Sequence, residues 1–150
     1  LARTVDAAGN VVLDEPAEPD FAWLSRHSWA WDPARLDELI AAAGPATLYV
    51  CGGAANELEL AGRFTRVFML ELDEPTMLAR IAARPDNNWG RIGDTREHLR
   101  RFLPGYQARL RASGAIPIDA SQPLDQVIEA ILAHPLPGLP EGMTEAPRTL

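Results

Sequence analysis

A chain of 150 residues can bury about two thirds of the surface its unfolded form exposes, which suits one soluble domain. Its net charge of −7 and pI near 4.9 exclude a general binder of nucleic-acid backbone. No apolar run reaches the roughly 20 residues needed to span a bilayer and no charged-apolar-small leader opens the chain, so the expected location is cytoplasmic, without membrane or nucleic-acid partners.

Thr4 to Leu13 has an Ala8-Gly9-Asn10 turn between β-formers and predicts a small hairpin. A polar loop covers 14–20. The aromatic cluster Phe21, Trp23, Trp29 and Trp31 follows, with Arg26 and His27 between. Asp32-Pro33 is an N-cap followed by proline at the first helical position, predicting a helix to Ala43 that Gly44-Pro45 stops. Thr47 to Cys51 and Val67 to Leu72 are short apolar runs that read as buried parallel strands. Asp73-Glu74-Pro75-Thr76 opens a helix that ends near Arg84-Pro85. Residues 85–94 have loop composition, and a helix is expected from about Thr95 to Ser113. Ala115 to Asp119 reads as a third core strand. Pro123 to Ala133 reads as a closing helix with Leu124, Val127, Ile128 and Ile131 inward. Strands alternating with helices imply an α/β fold with a parallel sheet. The tail from 135 to 150, rich in proline and glycine, is expected to be disordered.

The chain has no lysine: its fourteen basic residues are all arginine, so any phosphate recognition has to use locally concentrated arginines. The single cysteine, Cys51, permits no internal disulfide or cysteine metal cluster and reads as a small buried apolar residue. His27, His98 and His134 are scattered without ligand spacing, so no protein-held metal is expected.

A strand ending in Cys51-Gly52-Gly53, a strand ending in Leu72-Asp73-Glu74-Pro75, Arg80 and Arg84 before a polar loop, and Ile118-Asp119-Ala120-Ser121 before a last helix occur in that order. Over roughly residues 30–133 this order resembles shikimate, gluconate and adenylate kinases and related nucleoside kinases. The resemblance implies a three-layer parallel sheet of P-loop kinase type that is N-terminally incomplete. The family's central strand, first helix and phosphate loop, G-x-x-x-x-G-K-[ST], would precede everything here, and no segment matches that loop. The chain opens on Leu1 rather than Met, so the expectation is an unusual start codon or an absent front end. A kinase-like domain is expected over 1–134, with the acceptor region at about 1–65 and the LID at about 84–95. The implied activity of the parent protein is ATP-dependent phosphoryl transfer to a small-molecule acceptor such as a nucleoside, nucleotide or shikimate-like hydroxyl compound. ATP and Mg2+ are its implied cofactors, expected only with the phosphate loop present. The alternative is a non-catalytic α/β domain that binds a nucleotide or partner.

Arg80 and Arg84 lie at i and i+4 on one helix face and can address one ligand, and the planar guanidinium suits phosphate oxygens. The competing reading pairs them with Glu71, Asp73 or Glu74. The resemblance makes this pair the start of the LID, in contact with the nucleotide and its transferring phosphate. Arg91 would close over the nucleotide, with Gly90 as the flexible element. It also assigns acceptor contact to Gly52 and Gly53 and adenine-side main-chain contact to Ala120 and Ser121. Asn56 either bonds the acceptor or caps a helix. Trp29 and its aromatic neighbours either stack a ring or cover the sheet. Ser121 or Asp119 serves equally as a plain N-cap. No catalytic base stands out.

Overall fold

The computed structural model describes residues 1–135. In chain order it contains β1 (Ala2–Asp6), α1 (Phe21–Leu24), β2 (His27–Trp31), α2 (Pro33–Ala43), β3 (Phe68–Glu71), α3 (Glu74–Ala83), α4 (Thr95–Ala112), β4 (Ile116–Asp119) and α5 (Leu124–Leu132). This is a small α/β protein with its strands in two two-stranded sheets, β1 antiparallel to β2 and β3 parallel to β4. The expected disordered tail lies, apart from Pro135, outside the described residues.

The parallel pair runs from Phe68 opposite Ile116 to Glu71 opposite Asp119. Backbone bonds from Ile116 to the Val67 carbonyl and from Ala120 to the Glu71 carbonyl, each 2.9 Å, extend it at both ends. The crossover between the strands is α3, a loop and α4. Met69 of β3 packs with Leu110 and Ala115, and Ile118 of β4 packs with Ala120 and Val127 of α5. A separate cluster of Trp31, Leu36, Ala54 and Leu60 holds the amino-terminal region together.

Local chemistry sets the helix ends. The Asp32 carboxylate accepts from the Ala34 and Arg35 amides, Pro33 supplies the fixed first φ, and Gly44 ends α2 at φ +56°. The Asp73 carboxylate accepts from the Thr76 amide at 2.7 Å. α3 ends at Arg84 because the residue before Pro85 is driven to extended backbone, here ψ 127°.

Hydrogen bonds and ion pairs hold several carboxylates below their ordinary range. Thr76 lowers Asp73, Ser121 lowers Asp119, Asn10 lowers Asp6, Arg63 lowers Asp37 and Arg101 lowers Glu97. A carboxyl group with a depressed folded pKa contributes stability that is present above its unfolded pKa and lost as pH falls through the folded one. Burial likewise lowers the His98 imidazole, so the thermal midpoint is expected to decline slightly as pH falls below about 6.5 and steeply below about pH 4. Calorimetric scans across that range check it; a midpoint that rises on acidification contradicts it.

Several expectations change. Among the described residues there is no single three-layer sheet. Thr47 to Cys51 is not a ladder strand; Tyr49 is 43% exposed and Cys51 is exposed, not buried. An apolar β-rich run needs a partner edge, and β3 pairs only with β4. Leu70 on β3 is 53% exposed. The hairpin at 4–13 is present but short, with backbone bonds from Asp6 to the Asn10 carbonyl and from Val12 to the Thr4 carbonyl, each 2.9 Å, around the single Val5–Val11 bridge, while β1 pairs on its other edge with His27–Trp31. Val127 of α5 is buried as expected, but Leu124 and Ile128 are exposed, since a sheet only two strands wide covers only part of the helix stripe.

Candidate functional site

The arginines from the end of α3 and the following loop face backbone rather than carboxylates. Arg80 Nη2 donates to the Ser121 and Gln122 carbonyls at 3.3 and 3.4 Å, beyond the end of β4. Arg84 Nη2 donates to the Trp89 carbonyl, and Arg91 Nη2 donates to the Asn87 carbonyl and to Asn88 Oδ1, all at 2.9 Å. Arg84 and Arg91 thus grip the same turn. Arg84 Nε is buried and has no partner among the described residues. An unpaired buried donor is costly, about 1–3 kcal/mol and more on a charged group.

Glu71, Asp73 and Glu74, which could have neutralised these arginines, are engaged elsewhere. Glu71 pairs with Arg111 and Glu74 with Arg100, each at 2.7 Å, and Asp73 is occupied capping α3. Among the described residues, Arg80, Arg84 and Arg91 form no ion pair.

Gly90 is not the free hinge expected of it. It is buried, its amide donates to Thr95 Oγ1 at 3.0 Å, and a side chain there would meet Ile81 at 2.9 Å and Leu99 at 3.1 Å. Thr95, wholly buried, also donates its hydroxyl to the Ile92 carbonyl and so fixes the loop onto the start of α4. Ala120 is buried with its amide on the Glu71 carbonyl. The Ser121 amide and hydroxyl both donate to Asp119 Oδ1, at 2.9 and 2.6 Å, so this turn is closed by Asp119 and gripped by Arg80.

The residues assigned to the acceptor also come together. The Ala55 amide donates to the Trp29 carbonyl at 2.8 Å, leaving the Trp29 indole 53% exposed. Gly52 sits at φ +134°, and Gly53 lies against Tyr106 of α4. The Asn56 side chain caps no helix and is taken up by the Trp31 backbone. Its Oδ1 accepts from the Trp31 amide at 3.0 Å and its Nδ2 donates to the Trp31 carbonyl at 2.9 Å, standing in for a neighbouring strand. Asn56→Ala should therefore cost about 1–3 kcal/mol by stranding both groups, read as a lower denaturant midpoint; an unchanged midpoint contradicts the clamp.

No hydrogen bond joins the arginine group to the acceptor group. At the carboxyl ends of β3 and β4, where open α/β sheets bind ligands, a crevice of about 310 Å³ is lined by Glu71, Asp73, Gln107, Arg111, Asp119 and Ser121. A larger open hollow of about 500 Å³ lies between the β1–β2 ribbon and the start of α2. Among the described residues no three His, Cys, Asp or Glu side chains are grouped to hold a metal, and no helix is long and apolar enough to cross a membrane.

The sequence reading did not single out Glu57, Tyr106, Gly93 or Asp94. The Tyr106 hydroxyl donates to Glu57 Oε2 at 2.9 Å. The Asp94 carboxylate accepts from the Phe21 amide at 2.9 Å, and its own amide donates to the Pro19 carbonyl at 2.9 Å. Both contacts join residues dozens of positions apart, and no local motif marks them. Comparison with known proteins finds no matching family model, no matching curated sequence and no matching solved structure.

Proposed function

We propose that this chain is the LID and acceptor-binding portion of an ATP-dependent small-molecule kinase, with Arg80, Arg84 and Arg91 holding phosphate oxygens and the Gly52-Gly53 loop placing the acceptor. One observation carries the reading: Arg80 and Arg84 at the end of α3 and Arg91 in the loop after it grip one loop and one turn, while Glu71, Asp73 and Glu74 have other partners. Guanidinium groups so held keep full charge and need little reordering to meet phosphate. On this reading the parallel pair β3–β4 belongs to a three-layer P-loop kinase sheet whose central strand and phosphate loop are not in these residues. ATP supplies the transferred group; magnesium would come with it, since no described side chains form a site of their own.

The absence of lysine and of any G-x-x-x-x-G-K-[ST] segment favours a second reading, nucleotide binding without turnover. Titrating the chain with ATP, ADP and adenosine tests what both readings share. The phosphate-bearing ligands should bind more tightly than adenosine and lose affinity as salt is raised; equal binding of all three overturns the assignment.

A further inference from the structure

The loop after Gly52 carries a carboxylate held in an unusual way. Glu57 Oε2 accepts two hydrogens, one from the Ala54 amide at 3.1 Å and one from the Tyr106 hydroxyl at 2.9 Å. The same hydroxyl lies so close to Gly53 that a Cβ there would be 2.8 Å from it and 3.6 Å from Glu57 Oε2. Glycine at 53, the tyrosine and the glutamate therefore form one packed unit. Oε1 of Glu57 has no hydrogen-bond partner among the described residues. It is not sealed away either, because Arg84 Nε is the only buried unpartnered side-chain atom among them. Among the described residues Glu57 forms no ion pair, and Arg109, the arginine beside Tyr106, sits over the Phe102 and Tyr106 rings at 5.9 Å.

We infer that Glu57 selects the acceptor: its outward Oε1 takes a hydroxyl hydrogen, so the acceptor is a neutral polyhydroxy compound and not a carboxylate or phosphate. This rests on the reading that the Gly52-Gly53 loop binds the acceptor. An anionic group placed here would meet an uncompensated carboxylate, whereas a hydroxyl donor finds an oriented acceptor that two hydrogen bonds already hold in place. Burial, then the charge of Glu57, pushes the Tyr106 phenol well above its ordinary range. Tyr106 thus stays a donor and acts as a positioning residue.

Matched probes that differ in charge on a shared skeleton test this: adenosine against AMP, and glucose against gluconate, followed through the Gly53 and Ala54 amide resonances of the whole chain. In the unaltered protein the neutral member of a binding pair should be preferred at least tenfold. Glu57→Gln keeps an oxygen for Ala54 and Tyr106 but removes the charge, and should cut that preference at least tenfold. Tyr106→Phe keeps the charge, and should weaken binding while leaving the preference. A carboxylate serving only to tie the loop to α4 would weaken both members of a pair equally in both variants, and that result overturns the inference. Equal binding of neutral and anionic probes overturns it too, while leaving the loop as an acceptor site. If no probe moves the Gly53 and Ala54 resonances, the acceptor assignment falls and the role of Glu57 falls with it.

Discussion

Gly93→Ala should lower the stability of the chain by about 3 kcal/mol, among the largest losses for a single methyl group. Gly93 has φ +48°, where alanine is strained, and a Cβ there would lie 2.4 Å from the Pro19 carbonyl oxygen and 2.9 Å from the Glu18 carbonyl carbon and the Pro19 nitrogen. All of these are backbone atoms, so no rotamer change relieves the contact. They are also fixed from both sides, by Asp94 bonding Pro19 and Phe21, and by the Arg101 guanidinium 4.6 Å over the Phe21 ring. Gly105, in the interior of α4, would meet nothing within 4 Å and has no positive φ. Gly105→Ala should instead add about 0.5–1 kcal/mol from the helix preference of alanine. Urea unfolding of both variants decides it. Two midpoints that move together would mean that the chain does not close tightly between Pro19 and the start of α4.

The second large effect concerns the ligand and not the fold. Arg80→Ala with Arg84→Ala should weaken ATP binding by at least about 100-fold, because each removes a charge-assisted bond of about 1.5–3 kcal/mol and 1.4 kcal/mol is a factor of ten. The fold should lose little. Arg80 reaches only exposed carbonyls at long range, and removing Arg84 gives up one exposed bond to the Trp89 carbonyl while relieving a buried unpaired donor. Lysine at either position should recover only part of the affinity, since an ammonium cannot present the planar fork. Calorimetry at low salt compares the variants with the parent chain. Unchanged affinity for ATP would place its phosphates elsewhere.

The caps and stops of the chain were legible in the sequence. Asp32-Pro33, Asp73 before Glu74-Pro75, and Arg84-Pro85 each mark a helix end within a few residues of its physical cause, a side-chain oxygen on a free amide or a proline ring excluding helical backbone. The parallel direction of β3 and β4, though not their register, also followed from two apolar runs separated by helices. What was not legible depends on partners far away in the chain. Thr47 to Cys51 has strand chemistry but no partner edge, and His27 to Trp31, read as an aromatic cluster, becomes a strand because Ala2 to Asp6 lies beside it. Asn56 was read as a ligand contact or cap, and its clamp on Trp31 spans 25 residues. At the candidate site, the i, i+4 spacing of Arg80 and Arg84 was visible. The diversion of Glu71 to Arg111 and of Glu74 to Arg100, which leaves those arginines uncompensated, was not, because both pairs depend on how α4 lies across the sheet.

The most direct test of the arginine site is the side-chain ε N–H resonance of Arg80, an exposed side chain whose guanidinium makes only long bonds to the Ser121 and Gln122 carbonyls. Adding ATP should supply a closer, charged acceptor, shifting the Arg80 resonance downfield and slowing its exchange, while adenosine at the same concentration leaves it in place. An Arg80 resonance that does not move under saturating ATP would contradict phosphate binding at this site.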